Sequence, residues 1–392
     1  MPASNGLPTC ITTNSSSISR KRIQQADLST SRVIAILAFL KFVITMTIKA
    51  VALISGGLDS LLAAKLIQQQ GIEVVGINFF TGFCVEGHTH AIRNRAGSRP
   101  KRNNALWVAE QLGIKLHIID VVEEYKNVVI NPRHGYGANL NPCLDCKIFM
   151  IHKAHDWIAE HGFDFIITGE VSGQRPKSQL RRFMPLVAAE SGAEDLLLRP
   201  LCAKSLAPTR PELEGWVARD KLKDFSGRSR KPQMALAAEF GFEDYAQPAG
   251  GCCFLTDRSY SVKLQDLWDN RGHRQYELDD IMLLKVGRHI RPSSDFKLII
   301  AREEGETRYL SGYRRQFQTI KTISHGGPLA LIEGAPLDQQ QLELACAITA
   351  RFSQGRDAES VEMEFSDHQK TTQSIHVKPL RADQINPEWV IL

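Results

Sequence analysis

Cysteine is scarce in this chain, with 8 residues among 392, which excludes a small fold held together by disulfides. No charge of one sign dominates, because the formal net charge is only +5. That balance permits a nucleic-acid partner without requiring one. No Gly-x-x-x-x-Gly-Lys-Ser/Thr string occurs, which excludes the Walker type of phosphate loop. No internal repeat is visible, and a chain of this length predicts two or three domains.

A hydrophobic run long enough to cross a membrane is also missing. Residues 33–44 are apolar, but Lys41 interrupts them and the stretch is short for a membrane span. Residues 3–31 are rich in Ser, Thr and Asn and predict disorder. We expect residues 1–45 to be a disordered or artefactual extension and Met46 to be the start; a membrane tether or targeting segment is the alternative. Without an export signal, the sequence predicts a cytoplasmic protein that has no membrane partner.

The most informative string is Ser55-Gly56-Gly57-Leu58-Asp59-Ser60. It follows the apolar run 50–54, which reads as a buried strand, and leucines on one helix face follow it. A glycine-rich turn between strand and helix aims backbone N–H groups and the positive end of a helix at one place, where an anion binds. We expect Ser55, Gly56, Gly57 and Ser60 to bind phosphate, and Asp59 to hold the Mg²⁺ that the phosphates share.

Strands and helices alternate after this turn. Strands at 73–80, 115–120 and 163–168 and helices at 103–112 and 144–160 predict an α/β fold with a doubly wound parallel sheet. Ligands bind at the carboxyl ends of such strands, so Asn78, Gly169 and Arg175 are further candidates for cofactor binding.

The second part of the chain predicts a smaller C-terminal α+β domain. Its expected elements are strands at 281–286, 296–301, 307–310, 329–332 and 360–365 and a helix at 338–352. The domains expected are 46–200 for the sheet that carries the phosphate loop, 201–275 for a linker and cysteine loop, and 276–392 for the small α+β domain.

Two cysteine motifs stand far apart in the sequence. Cys143-x-x-Cys146 lies at a predicted helix N-terminus, where the dipole favours thiolates, and Cys252 and Cys253 follow two glycines. Three interpretations stay open: a [4Fe–4S] cluster held by Cys143, Cys146 and Cys252, a redox pair of catalytic cysteines, or structural zinc. Zinc is disfavoured because adjacent residues of an extended loop point to opposite faces. Cys253 is therefore expected to face away from Cys252, and Cys10, Cys84, Cys202 and Cys346 to be buried small hydrophobes.

These motifs resemble a known superfamily. The string Ser55–Ser60 is similar to the SGGxDS loop of the PP-loop ATP pyrophosphatases, whose fold is the adenine nucleotide alpha hydrolase-like, Rossmann-like sheet. Asn141-Pro142-x-x-x-Cys146 is similar to a motif of the tRNA-specific 2-thiouridylase, although Cys143 replaces its aspartate. The Cys-x-x-Cys with a third cysteine resembles cluster-dependent forms of the 4-thiouridine synthetase. The segments 168–176 and 248–252 look like a group of uncharacterised thiolase-like proteins.

The resemblance covers about residues 47–275. The sequence shows no N-terminal THUMP domain of the kind that the 4-thiouridine synthetases carry. Residues 286–288 and 325–327 resemble the RNA-binding domain of NFACT proteins. The resemblance implies an ATP-dependent tRNA sulfurtransferase with ATP, Mg²⁺ and a [4Fe–4S] cluster as cofactors. It also implies catalytic roles for Asp59, Cys146 and Cys252, and tRNA and a sulfur donor as partners. The alternatives are a PP-loop ligase or amidotransferase-type enzyme, and an RNA-binding protein with a zinc site.

Overall fold

The computed structural model describes residues 47–85, 102–246, 253–335 and 337–392. The predictions for residues 1–45, Met46 and Cys252 fall outside these ranges. The helices are α1 Leu58–Gln68, α2 Asn104–Leu112, α3 Val122–Ile130, α4 Cys143–His161, α5 Met184–Glu190, α6 Arg210–Leu213, α7 Lys231–Glu239, α8 Arg258–Arg271, α9 Leu278–Leu283, α10 Glu304–Ser311 and α11 Gln339–Ala350. The strands are β1 Lys49–Leu53, β2 Glu73–Phe80, β3 Leu116–Asp120, β4 Phe165–Thr168, β5 Leu197–Leu198, β6 Arg288–Ile290, β7 Phe296–Ile300, β8 Gln318–Thr322, β9 Leu329–Gly334, β10 Val361–Ser366 and β11 Thr372–Val377.

The first five strands form a parallel sheet in the order β3-β2-β1-β4-β5. Because crossovers between parallel strands are right-handed, the reversal of strand order at β1 puts α1 and α2 on one face and α4 and α5 on the other. The inward residues agree, since Val51, Ile77 and Ile166 pack in one core with α4 and α5. This is the doubly wound sheet that the sequence predicts. Its topological switch point lies between β1 and β4, which is where such folds bind ligands.

Residues beyond 200 pack onto the part of the chain that forms this sheet. The Lys223 N–H donates to Pro200 O at 2.9 Å, and the Phe225 N–H donates to Leu201 O at 2.8 Å, just after β5. α7 then packs against α1. The segment predicted as a linker at 201–275 therefore begins against the parallel-sheet fold.

The C-terminal strands form an antiparallel sheet in the order β11-β10-β8-β9-β7-β6. Alternate residues of β7 pack on opposite faces, with Leu298 in the core beneath α11 and Ile299 in the core beneath α10. A strand buried on both faces reads as a continuous apolar run, which is why the sequence predicts β7 and β9 well. The smaller α+β domain is confirmed.

Two predicted strands of this region are wrong. Residues 281–283 lie in α9 and residues 284–286 in the turn after it, and a reciprocal capping box between Glu277 and Asp280 starts this helix. Residues 307–310 lie in α10, whose first turn carries Glu304 and Glu306, the charge that suits a helix N-terminus. The sequence does not predict eight further elements: α3, α5, α6, α8, β5, β6, β8 and β11.

Candidate functional site

The turn between β1 and α1 is fixed by two side chains that the sequence assigns to cofactor binding. Asn78 Nδ2 donates to Ile54 O at 2.7 Å, which ties the end of β1 to β2. Ser60 Oγ donates to Gly57 O at 2.8 Å. These two groups hold the loop in shape, whereas Ser55 is exposed at its mouth. The backbone N–H groups at the start of α1 have no partner within the helix and remain the groups suited to an anion.

Three glycines at this site play different parts. Gly56 has φ +80° and a Cβ there would lie 2.8 Å from Ala105 N, so the loop rests against the start of α2. A Cβ at Gly169 would lie 2.5 Å from the backbone carbon of Asp59. The end of β4 therefore touches the α1 backbone directly. A Cβ at Gly57 would meet nothing closer than 3.6 Å, so this glycine leaves open space where a ligand approaches.

The Asp59 carboxylate lies at the centre of the site. Gln174 Nε2 donates to Asp59 Oδ2 at 3.0 Å. Burial raises the pKa of Asp59, and the Gln174 hydrogen bond and the charges of Arg230 and Arg175 oppose that rise. Gln233 faces the same carboxylate without completing a hydrogen bond. An aspartate is therefore held between two arginines and two glutamines drawn from distant parts of the chain.

Several buried polar atoms around this carboxylate have no hydrogen-bond partner among the described residues. They are Asp59 Oδ1, Gln174 Oε1, Arg230 Nε and both amide atoms of Gln233. Gln233 is 0% exposed, so water does not satisfy it from outside. Buried polar groups in folded proteins are normally paired, and a set of orphans around one carboxylate indicates a place for a polar ligand. Carboxylate and amide oxygens are ligands that Mg²⁺ accepts, so these residues fit the predicted metal.

Two loops bring these groups to the sheet. The Gly173 N–H donates to Gln179 O at 2.6 Å, which closes residues 173–179 into a compact turn after β4. Ser172 and Ser226 form an isolated parallel bridge, and the Gly227 N–H donates to Ser172 O at 2.8 Å. That pairing fixes the start of α7, and with it Arg230 and Gln233, beside the turn that carries Gln174.

Glu170 forms a buried ion network behind the site. Its Oε2 accepts from Thr168 Oγ1 at 2.9 Å and from Arg199 Nε at 3.0 Å, and Lys147 Nζ lies 4.0 Å from its Oε1. Burial works to raise the pKa of Glu170, but the charges of Lys147 and Arg199 outweigh it and the pKa is lowered. The Lys147 ammonium group is therefore directed at Glu170.

The Cys-x-x-Cys motif lies at the start of α4, as predicted. Cys143 Sγ lies 3.4 Å from Ser178 Oγ, in the turn that carries Gln174. Cys146 packs against a cluster of buried aromatic residues that includes Phe83 and Tyr125. The two thiols therefore connect the candidate ATP site to this aromatic cluster.

The later cysteines are only partly described. Cys252 lies outside the described residues, but Cys253 packs against the same aromatic cluster as Cys146 and forms an isolated antiparallel bridge with Cys84. Cys84 is half-buried rather than fully buried, so its interpretation as a core residue is wrong. Cys202 fits that interpretation, because it is buried and burial raises its thiol pKa to about 12. Cys346 is buried in the same way and burial raises its pKa to about 12.

The described residues do not form a binding site for a metal cluster. Within the described ranges, no three His, Cys, Asp or Glu side chains gather as metal ligands. Cys143 and Cys146 alone do not fit a [4Fe–4S] cluster, and the third predicted ligand is Cys252. The three-cysteine cluster stays a prediction, and no step below uses it.

Some residues of the site were missed by the sequence reasoning. Gln174 stands inside the quoted segment 168–176, but nothing marks it as a partner of Asp59. Arg230 lies in the basic string Arg228-Ser229-Arg230-Lys231, and nothing in that string marks it as a partner of Asp59. Gln233 carries no sequence signal, because a polar residue in a short helix normally faces solvent. Exposed basic residues surround the site, namely Arg175, Arg181, Arg182, Arg228 and Lys231.

Comparisons with known proteins match both parts of the chain. Residues 48–184 match the family model of the tRNA methyl transferase HUP domain, and residues 287–390 match the NFACT protein RNA binding domain. The tRNA-specific 2-thiouridylase MnmA of Pelobacter propionicus is 26% identical over 291 residues, which cover 73% of this chain and 71% of the relative. The tRNA-specific 2-thiouridylase MnmA 1 of Syntrophus aciditrophicus is 26% identical over 212 residues, and the chain spans 55% of its length.

A solved 4-thiouridine synthetase, in complex with RNA and bound ATP, is 20% identical with a TM-score of 0.36, over 54% of this chain and 45% of that chain. The family match and the relatives support the resemblance of residues 48–184 to the PP-loop superfamily and to its tRNA thiolation proteins. Residues 287–390 are similar to the NFACT RNA-binding domain. Both resemblances drawn from the sequence are confirmed. Among the described helices, none is both long and apolar enough to cross a membrane.

Proposed function

We propose that this protein is an ATP-dependent tRNA sulfurtransferase that thiolates a uridine through an adenylated base. The observation that carries the proposal is the turn 173–179. Gln174 in this turn contacts Asp59 of the phosphate loop at 3.0 Å, and Ser178 in the same turn contacts Cys143 at 3.4 Å. A nucleotide site and a thiol motif thus share one short segment, which is what the transfer of sulfur to an ATP-activated base requires.

The first step is the activation of the base. A uridine carbonyl oxygen attacks the α-phosphate of ATP, the bond to the β-phosphate breaks, and pyrophosphate leaves. Arg230 and Arg175 neutralise charge on the departing phosphates, and the N–H groups at the start of α1 hold them in place. Asp59 Oδ1 and Gln174 Oε1 are the oxygens suited to hold Mg²⁺, which when bound supplies further charge neutralisation.

The second step is the transfer of sulfur. A donor of the persulfide class loads a terminal sulfur onto Cys146. That sulfur attacks the activated carbon of the base, and AMP leaves. The Cys252 thiolate then attacks Cys146 Sγ. The bond between Cys146 Sγ and the transferred sulfur breaks, and the transferred sulfur stays on the base. The products are thiouridine and a Cys146–Cys252 disulfide, which a thiol reductant of the cell restores.

The partners follow from the two halves of the chain. The exposed arginines around the ATP site and the NFACT-type domain both suit a polyanion, and tRNA is the polyanion that the curated relatives act on by name. We propose the cytoplasm as the compartment, since ATP, tRNA and reduced thiols occur together there.

The test is the release of AMP and pyrophosphate from ATP with unfractionated tRNA, followed by analysis of the tRNA nucleosides for sulfur. We expect Arg230→Ala to lower the rate of AMP release by about 100-fold, the order found for lost oxyanion donors. Lys115→Ala removes an exposed lysine just before β3, at the end of the parallel sheet away from the phosphate loop, and should leave the rate unchanged. Cys146→Ser should release AMP but yield no thionucleoside. AMP release without thionucleosides from the unaltered protein, under anaerobic conditions with a persulfide donor, would contradict the proposal.

A further inference from the structure

Cys84 and Cys253 lie opposite each other where β2 ends and where the 3₁₀ turn Phe254–Thr256 begins. They form an isolated antiparallel bridge, and the Phe254 N–H donates to Phe83 O at 2.9 Å. Because this hydrogen bond joins the residues that flank the two cysteines, Cys84 and Cys253 themselves form a non-hydrogen-bonded pair of the antiparallel ladder. Opposite Cα atoms in such a pair lie about 4.5 Å apart. A disulfide needs Cα atoms about 4.4–6.8 Å apart. The backbone therefore already meets the requirement for a cross-strand disulfide.

Each sulfur also has a polar neighbour within hydrogen-bonding distance. Thr81 Oγ1 lies 3.7 Å from Cys84 Sγ. The Leu255 N–H donates to Cys253 Sγ at 3.3 Å. Hydrogen bonds to a sulfur stabilise its charged form, and both cysteines are half-buried rather than sealed in the core. A small reagent can therefore reach them.

A buried lysine faces the pair. Lys285 Nζ donates to Gly82 O at 2.5 Å and lies 5.0 Å from the centre of the Phe254 ring. Burial lowers the pKa of Lys285 to about 8, and the charges of Cys84 and Cys253 oppose that shift. Lys285 is therefore a charged group that faces both sulfurs, and a cation beside a thiol generally raises its reactivity.

We propose that Cys84 and Cys253 form a redox-active dithiol that exchanges with low-molecular-weight disulfides of the glutathione class. One thiolate attacks a sulfur of the small disulfide, the disulfide bond breaks, and one small thiolate leaves. The second cysteine then attacks the mixed disulfide and releases the second small thiol. The protein loses two electrons and two protons, and the small disulfide is reduced to two thiols. Neither cysteine takes part in the thiolation steps above, so the two proposals stand or fall separately.

The consequence of oxidation is a covalent link between the end of β2 and the chain that leads into α8. Cys253 lies against the same aromatic cluster as Cys146. In the oxidised protein the disulfide would fix the segment around Cys253 against the aromatic cluster. In the reduced protein the backbone bridge would hold that segment without a covalent link.

The experiment uses the full chain, equilibrated with glutathione and glutathione disulfide over a range of ratios. Disulfide-linked peptides are then identified by mass spectrometry without reduction. Because Cys252 is adjacent, Cys252→Ser and Cys253→Ser are compared, with Cys346→Ser as the control for a buried thiol. We expect the link to form in the unaltered chain, in Cys252→Ser and in Cys346→Ser, and to be absent in Cys84→Ser and Cys253→Ser. A disulfide that joins Cys84 to Cys252 in the unaltered chain instead of to Cys253, or no Cys84–Cys253 link at any ratio, overturns the proposal.

A second measurement tests the part played by Lys285. Lys285→Met should slow formation of the link several-fold at about pH 7, where the ammonium is charged, and should have little effect at about pH 9, above its lowered pKa. Lys285→Arg keeps the charge and should preserve the rate at about pH 7. Equal rates for the unaltered chain and Lys285→Met at both pH values would overturn the assigned electrostatic role.

Discussion

Two glycine substitutions at the ATP site should separate packing from ligand binding. A Cβ at Gly169 would lie 2.5 Å from both Asp59 C and Ser60 N, and these are backbone atoms that cannot rotate away. Gly169→Ala must therefore push α1 from the end of β4. Overpacking of this kind costs about 1–3 kcal/mol. At Gly57 the same added Cβ meets nothing closer than 3.6 Å, and φ is −88°, which any residue adopts.

The assay is urea unfolding of both variants, followed by ATP titration of the folded proteins. We expect Gly169→Ala to lose about 1–3 kcal/mol of unfolding free energy and to bind ATP weakly, because the phosphate loop moves with α1. Gly57→Ala should stay within about 0.5 kcal/mol of the unaltered protein, as surface changes do, yet bind ATP more weakly because its methyl group occupies the approach to the loop. Equal stability of the two variants would refute the direct contact between β4 and α1. Full ATP affinity in Gly57→Ala would refute the loop as the phosphate site.

Three further predictions concern buried polar groups. Burial raises the pKa of Asp59 above its ordinary value of 3.8, so the ionised carboxylate lowers the stability of the folded protein above pH 3.8. Asp59→Asn should therefore unfold at higher urea than the unaltered protein at about pH 7, although it should lose AMP release. The gain in stability should vanish as the pH falls below 3.8. Gln233→Leu should raise the unfolding free energy by about 1–3 kcal/mol, because two unpaired amide atoms leave the core, and should weaken ATP binding; a loss of stability would show that its amide is satisfied. Glu170→Gln leaves the buried Arg199 charge without its partner and should cost about 3–5 kcal/mol, measured by urea unfolding, whereas a cost below about 1 kcal/mol would mean that water reaches the network.

The sequence predicted those parts of the site that depend on local chain geometry. The turn at Ser55–Ser60 is specified by a buried strand, two glycines and an amphipathic helix that are contiguous, so its shape follows from neighbouring residues. The start of α4 near Cys143 and the left-handed caps at Gly113 and Gly162 are local in the same sense.

The missed parts depend on tertiary contacts. Gln233 and Arg230 reach Asp59 only because Ser226 pairs with Ser172, and no pattern within α7 records that pairing. The short helix α10 was taken for a strand because four residues of mixed polarity fit either period. The partnership of Cys84 and Cys253 likewise arises from one isolated bridge between segments about 170 residues apart, which leaves no trace in either local sequence.

The division of the ATP site between the two segments also sets the order in which it is made on the ribosome. The phosphate loop and the five strands of the parallel sheet are synthesised by residue 198, but Arg230 and Gln233 follow later. At the usual elongation rate of about 5–20 residues per second, the nascent chain passes on the order of 2–7 s with its sheet complete and Asp59 still lacking these neighbours. A truncated chain released in that interval would contain the phosphate loop but would lack Arg230 and Gln233, which we propose to lie beside the nucleotide. Nucleotide capture during synthesis therefore has to wait for α7, and ribosome profiling with ATP-analogue crosslinking should detect it only after that helix has emerged.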